Sequence, residues 1–316
     1  MNTKALILFA LFASCILAKD FERAVPIDGT YNKTGPFILD EPNNRAFILF
    51  RSGYHILDVV GRKLFTTVAV PEYSAAFYDH LRGAIHFITL SGRVVGYDAF
   101  TQAVVHNTTL PSVYRDYVTS VIYDAESRLL AAENFAFPID EPNKVENINY
   151  KVGSFYETVY DRQSRVGYSI NVVGENKYKM IKFDFSTGYI RVESKNYVPS
   201  FKSSPTLQFD RKHRQLYFSA DNSNQKYSDT TYFQYELETD KVVQFTGPYN
   251  PFGGLIDEVS GEYFTFASAM TFVFDKNLKS RKLPLKGRYY GLGFIHYINE
   301  VRYGFASTGE DFVVLN

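Results

Sequence analysis

A divalent-cation centre for hydrolysis needs oxygen ligands that converge from separate stretches of chain. In this sequence Glu157 is the carboxylate best placed to begin one, with Asp116 and Asp229 able to approach it. Glu157 alone cannot hold a cation, so Ca²⁺ enters only as an alternative and no cofactor is expected. The six histidines, His55, His80, His86, His106, His213 and His296, include no pair at the HExxH spacing of a zinc protease. There is no GxSxG elbow, no P-loop and no GxGxxG turn. The single cysteine, Cys15, excludes a disulfide scaffold, a thiolate zinc site and an iron–sulfur cluster. Lys plus Arg is 34 and Asp plus Glu is 34, so no net positive charge is available to hold a nucleic-acid backbone.

Aromatic side chains are the richer resource. The chain has 25 Tyr, 28 Phe and no Trp. Tyrosine offers rigid contact area and a hydroxyl at low entropic cost, which suits ligand recognition. To decide which of them could converge, the elements that carry them must be placed first.

Two markers repeat along the chain. The first is an apolar pair, an Asp, a polar turn and an apolar strand, as in FILDEPNNRAFILF at 37–50. Its positions are Asp40, Asp79, Asp124, Asp161, Asp210 and Asp257, with a degenerate seventh copy around His296. The second is an alternating strand that ends in an acid and a turn, at Asp58, Asp98, Asp140, Asp184, Glu236, Asp275 and finally Asn316. The spacings of the second marker are 40, 42, 44, 52, 39 and 41 residues. One long interval among near-equal ones is what a loop insertion in a fixed unit produces. Asp is a turn former because its carboxylate bonds the backbone two residues on, so the spaced acids read as turns and not as a metal array.

Each unit thus holds four short strands, and seven units predict an all-β fold, a seven-bladed β-propeller of four-stranded antiparallel blades. The last unit stops after its third strand. The segment FERAVPI at 21–27 matches the fourth strands elsewhere and is expected to close the seventh blade, with Val25 beside residues 311–315. Residues 1–18 combine Lys4, an apolar run from Ala5 to Leu17 and Ala18 before Lys19. They read as a secretory signal peptide, leaving one propeller domain over 19–316 in a secreted, extracellular protein with no membrane span.

Phrases such as FDRKHRQLYFSA at 209–220 and IDEVSGEYFTF at 256–266 resemble the repeats of secreted or periplasmic propellers. That broad group includes the gluconolactonase-like, strictosidine-synthase-like and royal-jelly/yellow-like proteins. The resemblance covers Phe21 to Asn316. It implies a ligand site at one mouth of a central channel and, for the gluconolactonase type, a divalent cation used in lactone or ester hydrolysis.

On this architecture the between-blade segments share one face, opposite the first-marker turns. The expected ligand-binding set there is Tyr73, Tyr114, Arg115, Asp116, Tyr117, Glu157, Tyr197, Tyr249, Arg288, Tyr289 and Tyr290. The function expected is binding of a small organic molecule, a sugar or an extracellular protein, without a catalytic set. The alternatives are a cation-dependent hydrolase around Glu157 and a structural matrix component. Asn32-Lys33-Thr34 and Asn107-Thr108-Thr109 match the N-glycosylation acceptor pattern, with Asn107 expected on an outer strand.

Overall fold

The structure, a computed structural model, describes residues 24–26, 37–111, 120–132, 135–144, 146–147, 155–174, 177–187, 190–198, 207–220, 229–248, 251–267, 270–283, 285, 293–307 and 312–315. Seven antiparallel sheets follow one another along the chain. Blade 2 shows the unit: Tyr73–Asp79, Ala84–Thr89, Arg93–Asp98 and Val104–Thr109, each paired with the next. The innermost strands of blades 1 and 3 to 7 are Phe37–Asp40, Val121–Asp124, Phe155–Asp161, Leu207–Asp210, Pro251–Asp257 and Gly293–Ile298. In blade 7 the three C-terminal strands are flanked by Ala24–Pro26, with Val25 opposite Val314. The expected seven-bladed β-propeller is therefore the fold observed.

Burial follows from this stacking. A middle strand lies between two neighbouring blades, so both of its faces are covered: every residue of Ala84–Thr89 is buried. An outer strand has one face to solvent, and Lys63–Ala69 and Val104–Thr109 alternate accordingly. Seven apolar clusters fill the seams. Each draws on two adjacent blades, and one of them joins Ala46, Ile48 and Leu57 of blade 1 to Phe294, Phe305 and Val314 of blade 7.

The marker acids do form turns. Asp124 accepts the Ser127 N–H at 2.9 Å and Asp210 the His213 N–H at 3.0 Å. At the second marker, Asp98 accepts the Phe100 and Thr101 N–H groups. The first-marker acids have a second task that turn chemistry does not predict. All six are buried, and most accept hydrogen bonds from the next blade. Tyr123 and Arg128 donate to Asp79, Tyr160 and Arg165 to Asp124, and Arg214 to Asp161. Tyr78 bonds Asp40 in the same way. The donors recur: Tyr just before the next marker, Arg four residues after it. Arg128, Arg165 and Arg214 all sit at positive φ, near 55°. A left-handed conformation disfavours a residue with a Cβ, and these arginines retain it while their guanidinium groups dock on the buried carboxylates.

The seventh copy differs from its expected form. His296 is not at the turn. The inner strand runs on to Ile298 and reverses through Asn299 and Glu300, both left-handed. Tyr297 and Arg302, opposite each other in this hairpin, reach back to Asp257 at 2.7 and 3.2 Å. With Ile298 where the other inner strands end in Asp, the seam between blades 7 and 1 is apolar instead, and Ile298, Phe37 and Leu39 all pack against its buried cluster.

Candidate functional site

The inner strands surround a central channel, and at its marker-turn end two cavities of about 340 and 390 Å³ lie side by side. Both are bounded by Phe37, Leu39, Glu41, Phe209 and Arg211. Glu41 follows the marker Asp40 of blade 1, and Arg211 follows the marker Asp210 of blade 5. Their side chains meet across the channel, Arg211 Nη2 donating to Glu41 Oε1 at 2.5 Å. From its other edge Arg211 donates Nε to Glu258 Oε1 at 3.1 Å. An acid–base–acid bar thus divides the channel into two halves.

Position explains this convergence. The residue after a marker is the first of a tight turn at the end of an inner strand; in blade 3 it is Ala125, buried in the seam with blade 2. Glu41, His80, Arg162, Arg211 and Glu258 all occupy that place. Burial works against ionisation of Glu41, but the hydrogen bond and charge of Arg211, with Arg162 and His296 adding, bring its pKa below the ordinary carboxylate value. Burial dominates at Glu258 and raises its pKa, Arg211 offsetting only part of that cost. His80 and His296 are pushed down, chiefly by burial, with Arg162 adding at His80 and Arg211 at His296. Both imidazoles are neutral at pH 7. Among the described residues, no group of three or more His, Cys, Asp or Glu side chains could hold a metal ion.

The channel walls mix carbon with the polar groups of Glu41 and Arg211, and their tyrosines add to the carbon. The hydroxyls of Tyr78, Tyr123 and Tyr160 are turned away into the seams and bonded to Asp40, Asp79 and Asp124. Burial and those carboxylates raise all three phenol pKa values, Tyr78 to about 12. What these rings offer the channel is carbon surface.

Of the ligand-binding set expected on the opposite face, Tyr73 is the one whose side chain is described. It is half-buried, packs on Phe87 at 4.8 Å and donates its hydroxyl to the Phe50 carbonyl at 2.8 Å, tying blade 2 to blade 1. Glu157 lies in the inner strand Phe155–Asp161, and Tyr197 in the outer strand Ile190–Val198 opposite Lys179; only their backbone is described. Tyr114, Arg115, Asp116, Tyr117, Tyr249, Arg288, Tyr289 and Tyr290 lie outside the described residues, as does Asn32. Asn107 is exposed on the outer strand Val104–Thr109, where its carbonyl accepts from Arg93 at 2.7 Å. Glu41, Arg211 and Glu258 were not among the expected residues. The available signal was the charged residue that follows the marker Asp in blades 1, 4, 5 and 6.

No family model matches the chain, and no curated protein matches it. Solved structures do, in 1219 chains. One is described as hydrazine synthase from Kuenenia stuttgartiensis, with a TM-score of 0.65 and 13% identity over 92% of this chain and 98% of that one. The chain shares its propeller fold. At that identity the likeness carries the architecture alone. Among the described residues no helix is long and apolar enough to cross a membrane.

Proposed function

We propose that this protein is a secreted propeller that binds a small organic ligand in its central channel. The observation that carries the reading is the pair of cavities meeting at the Glu41–Arg211 bridge. Concave, mostly apolar pockets with a few placed polar groups are the usual form of small-molecule sites, and these volumes fall at the small end of their range. Export is the role assigned to residues 1–18, on the charge and apolar pattern of that segment. Ala24–Pro26 closes the ring by occupying the outer edge of blade 7, which a three-stranded blade would otherwise leave open.

The test is a thermal-shift screen of the protein from residue 19 onward against sugars, lactones, aromatic amines, carboxylates and Ca²⁺, each with and without EDTA. A ligand that binds only the folded state adds about 2.7 kcal/mol at a hundred times its Kd. Ala76 lines the larger cavity, so Ala76→Phe is expected to abolish the shift given by a channel ligand. A shift that survives Ala76→Phe moves the site to the opposite face. A shift given only by Ca²⁺ and reversed by EDTA overturns the reading in favour of a cation-dependent hydrolase.

A further inference from the structure

The larger half-channel is unusual in how few polar groups it leaves free. Phe37, Ile38, Phe77, Val121, Val159 and Phe209 supply aliphatic and aromatic wall, and Glu41, Thr158, Arg162 and Arg211 are among the residues that supply a nearly equal share of polar surface. The hydroxyls of its tyrosines are bonded to the seam carboxylates. Thr158 gives its own to the Val121 carbonyl at 3.1 Å and meets Ser120 at the same distance. Arg211 is shared between Glu41 and Glu258. What remains is Arg162, half-buried, lining this cavity, and without an ion pair or hydrogen bond among the described residues. Its neighbour His80 carries no charge at pH 7 to compete for an anion.

Resting on the reading of the channel as a ligand site, we propose that this half binds a small monocarboxylate with an apolar body, its carboxylate on the Arg162 guanidinium. A cavity with aromatic and aliphatic wall on one side and, on the other, a guanidinium without an ion pair or hydrogen bond among the described residues fits such a ligand at both ends, with the nearby Glu41 charge weakening the attraction. Carbon fills the walls without stranding polar atoms, and a guanidinium pairs with a carboxylate through parallel N–H···O bonds. The same geometry selects against other classes. A sugar would leave hydroxyls unpaired against the walls. An amine would meet Arg162. A second carboxylate would meet Glu41, whose ionised side chain lines the same cavity.

Isothermal titration of the protein from residue 19 onward with phenylacetate, phenylacetamide, phenylethylamine and phenylsuccinate tests the assignment. Phenylacetate is expected to bind at least tenfold tighter than each of the other three. Arg162→Gln is expected to bring phenylacetate down to the level of phenylacetamide, and Arg162→Lys to keep part of the preference. A melting temperature unchanged by either substitution shows that the loss is local. Equal binding of phenylacetate and phenylacetamide, or a preference that survives Arg162→Gln, overturns the carboxylate assignment while leaving the channel as a neutral-ligand site. Tighter binding of phenylethylamine overturns it as well. If no compound binds, and hexanoate and benzoate also fail at millimolar concentration, both this assignment and the channel reading fall.

Discussion

Acidification from pH 7 to pH 4 tests how the second blade is built. His86 sits in the middle strand Ala84–Thr89 with 2% of its surface exposed. Its ring stacks on Phe77 at 4.9 Å with an interplanar angle of 2°. On the other side lies Gly96, where an added Cβ would come within 2.6 Å of the imidazole. Nδ1 is buried without a hydrogen-bond partner. Burial, reinforced by His106 and Arg128 and opposed by Asp79, lowers the His86 pKa from 6.5 to about 4.

The unfolded chain therefore takes up a proton at His86 near pH 6.5, while the folded chain resists until about pH 4. Between those values the unfolded state binds more protons, so stability falls as pH falls and levels off below about 4. At about 1.4 kcal/mol per pH unit, this one side chain removes about 3 kcal/mol across the window. His55, also buried and also lowered by burial, acts in the same direction. Glutamates add their own contributions near the ordinary value of 4.5, Glu41 with a lowered and Glu258 with a raised pKa, so the test compares two proteins that share them. Denaturant unfolding at half-unit steps from pH 7.5 to 4 gives the slope. His86→Phe keeps a flat ring between Phe77 and Gly96 and removes the titration. Its stability is expected to fall by about 3 kcal/mol less than that of the natural chain over the same range. Parallel curves for the two proteins would refute the argument, whatever the variant's absolute stability.

Arg165→Gly relieves a left-handed residue but leaves Asp124 buried without its 2.5 Å partner. Breaking such a pair costs about 3–5 kcal/mol and the relief returns about 1, so chemical denaturation should show a net loss of about 2–4 kcal/mol. Because the Asp124 pKa is held low by Arg165, Ser127 and Tyr160 against burial, its contribution is present above pH 3.8 and disappears as pH falls through about 2. The variant's deficit should narrow over that lower window. Gly293→Ala drives a methyl into the Phe305 carbonyl across the blade 7 hairpin, and a loss of about 1–3 kcal/mol is expected in the same assay. A chain beginning at residue 28 lacks Ala24–Pro26 and should melt lower and exchange amide hydrogens faster in residues 312–315 than in the middle strand of blade 2. Equal exchange in the long and short chains would show that the strand does not hold the ring.

The repeat was legible because its period is set by backbone geometry: a four-stranded unit must turn at fixed intervals, and Asp at a turn leaves a mark. What stacks the units was visible only in part. Tyr78, Tyr123 and Tyr160 each precede a marker Asp, and Arg128, Arg165 and Arg214 each follow one by four. Read along the chain they look like features of their own unit. Their acceptors are the marker acids of the preceding unit, a relation that exists once blades are stacked. His296 misled for a related reason. The last hairpin is tighter than the others, so a repeat aligned on its apolar flanks puts the turn two residues early. The channel residues went unrecognised because a charged residue after a turn Asp is ordinarily solvated; here the ring of blades turns that position inward and brings Glu41 onto Arg211, 170 residues away.

The tyrosines therefore divide by task. Those before the marker acids spend their hydroxyls on buried carboxylates and their ring carbons on the channel, so one residue type both clamps adjacent blades and gives the channel wall carbon surface. Phenylalanine there would keep the wall and strand a carboxylate; serine would reach the acid no better and open the wall. That coupling bears on the ligand. A wall whose hydroxyls are committed to structure has little polar chemistry left to offer. If the channel binds a ligand as proposed, selectivity falls to the rim, where the acids and bases that follow the marker turns lie. Under the proposed channel site the groups that could set it are Glu41, His80, Arg162, Arg211 and Glu258, and Arg211 also ties blade 5 to Glu258 of blade 6 and Glu41 of blade 1.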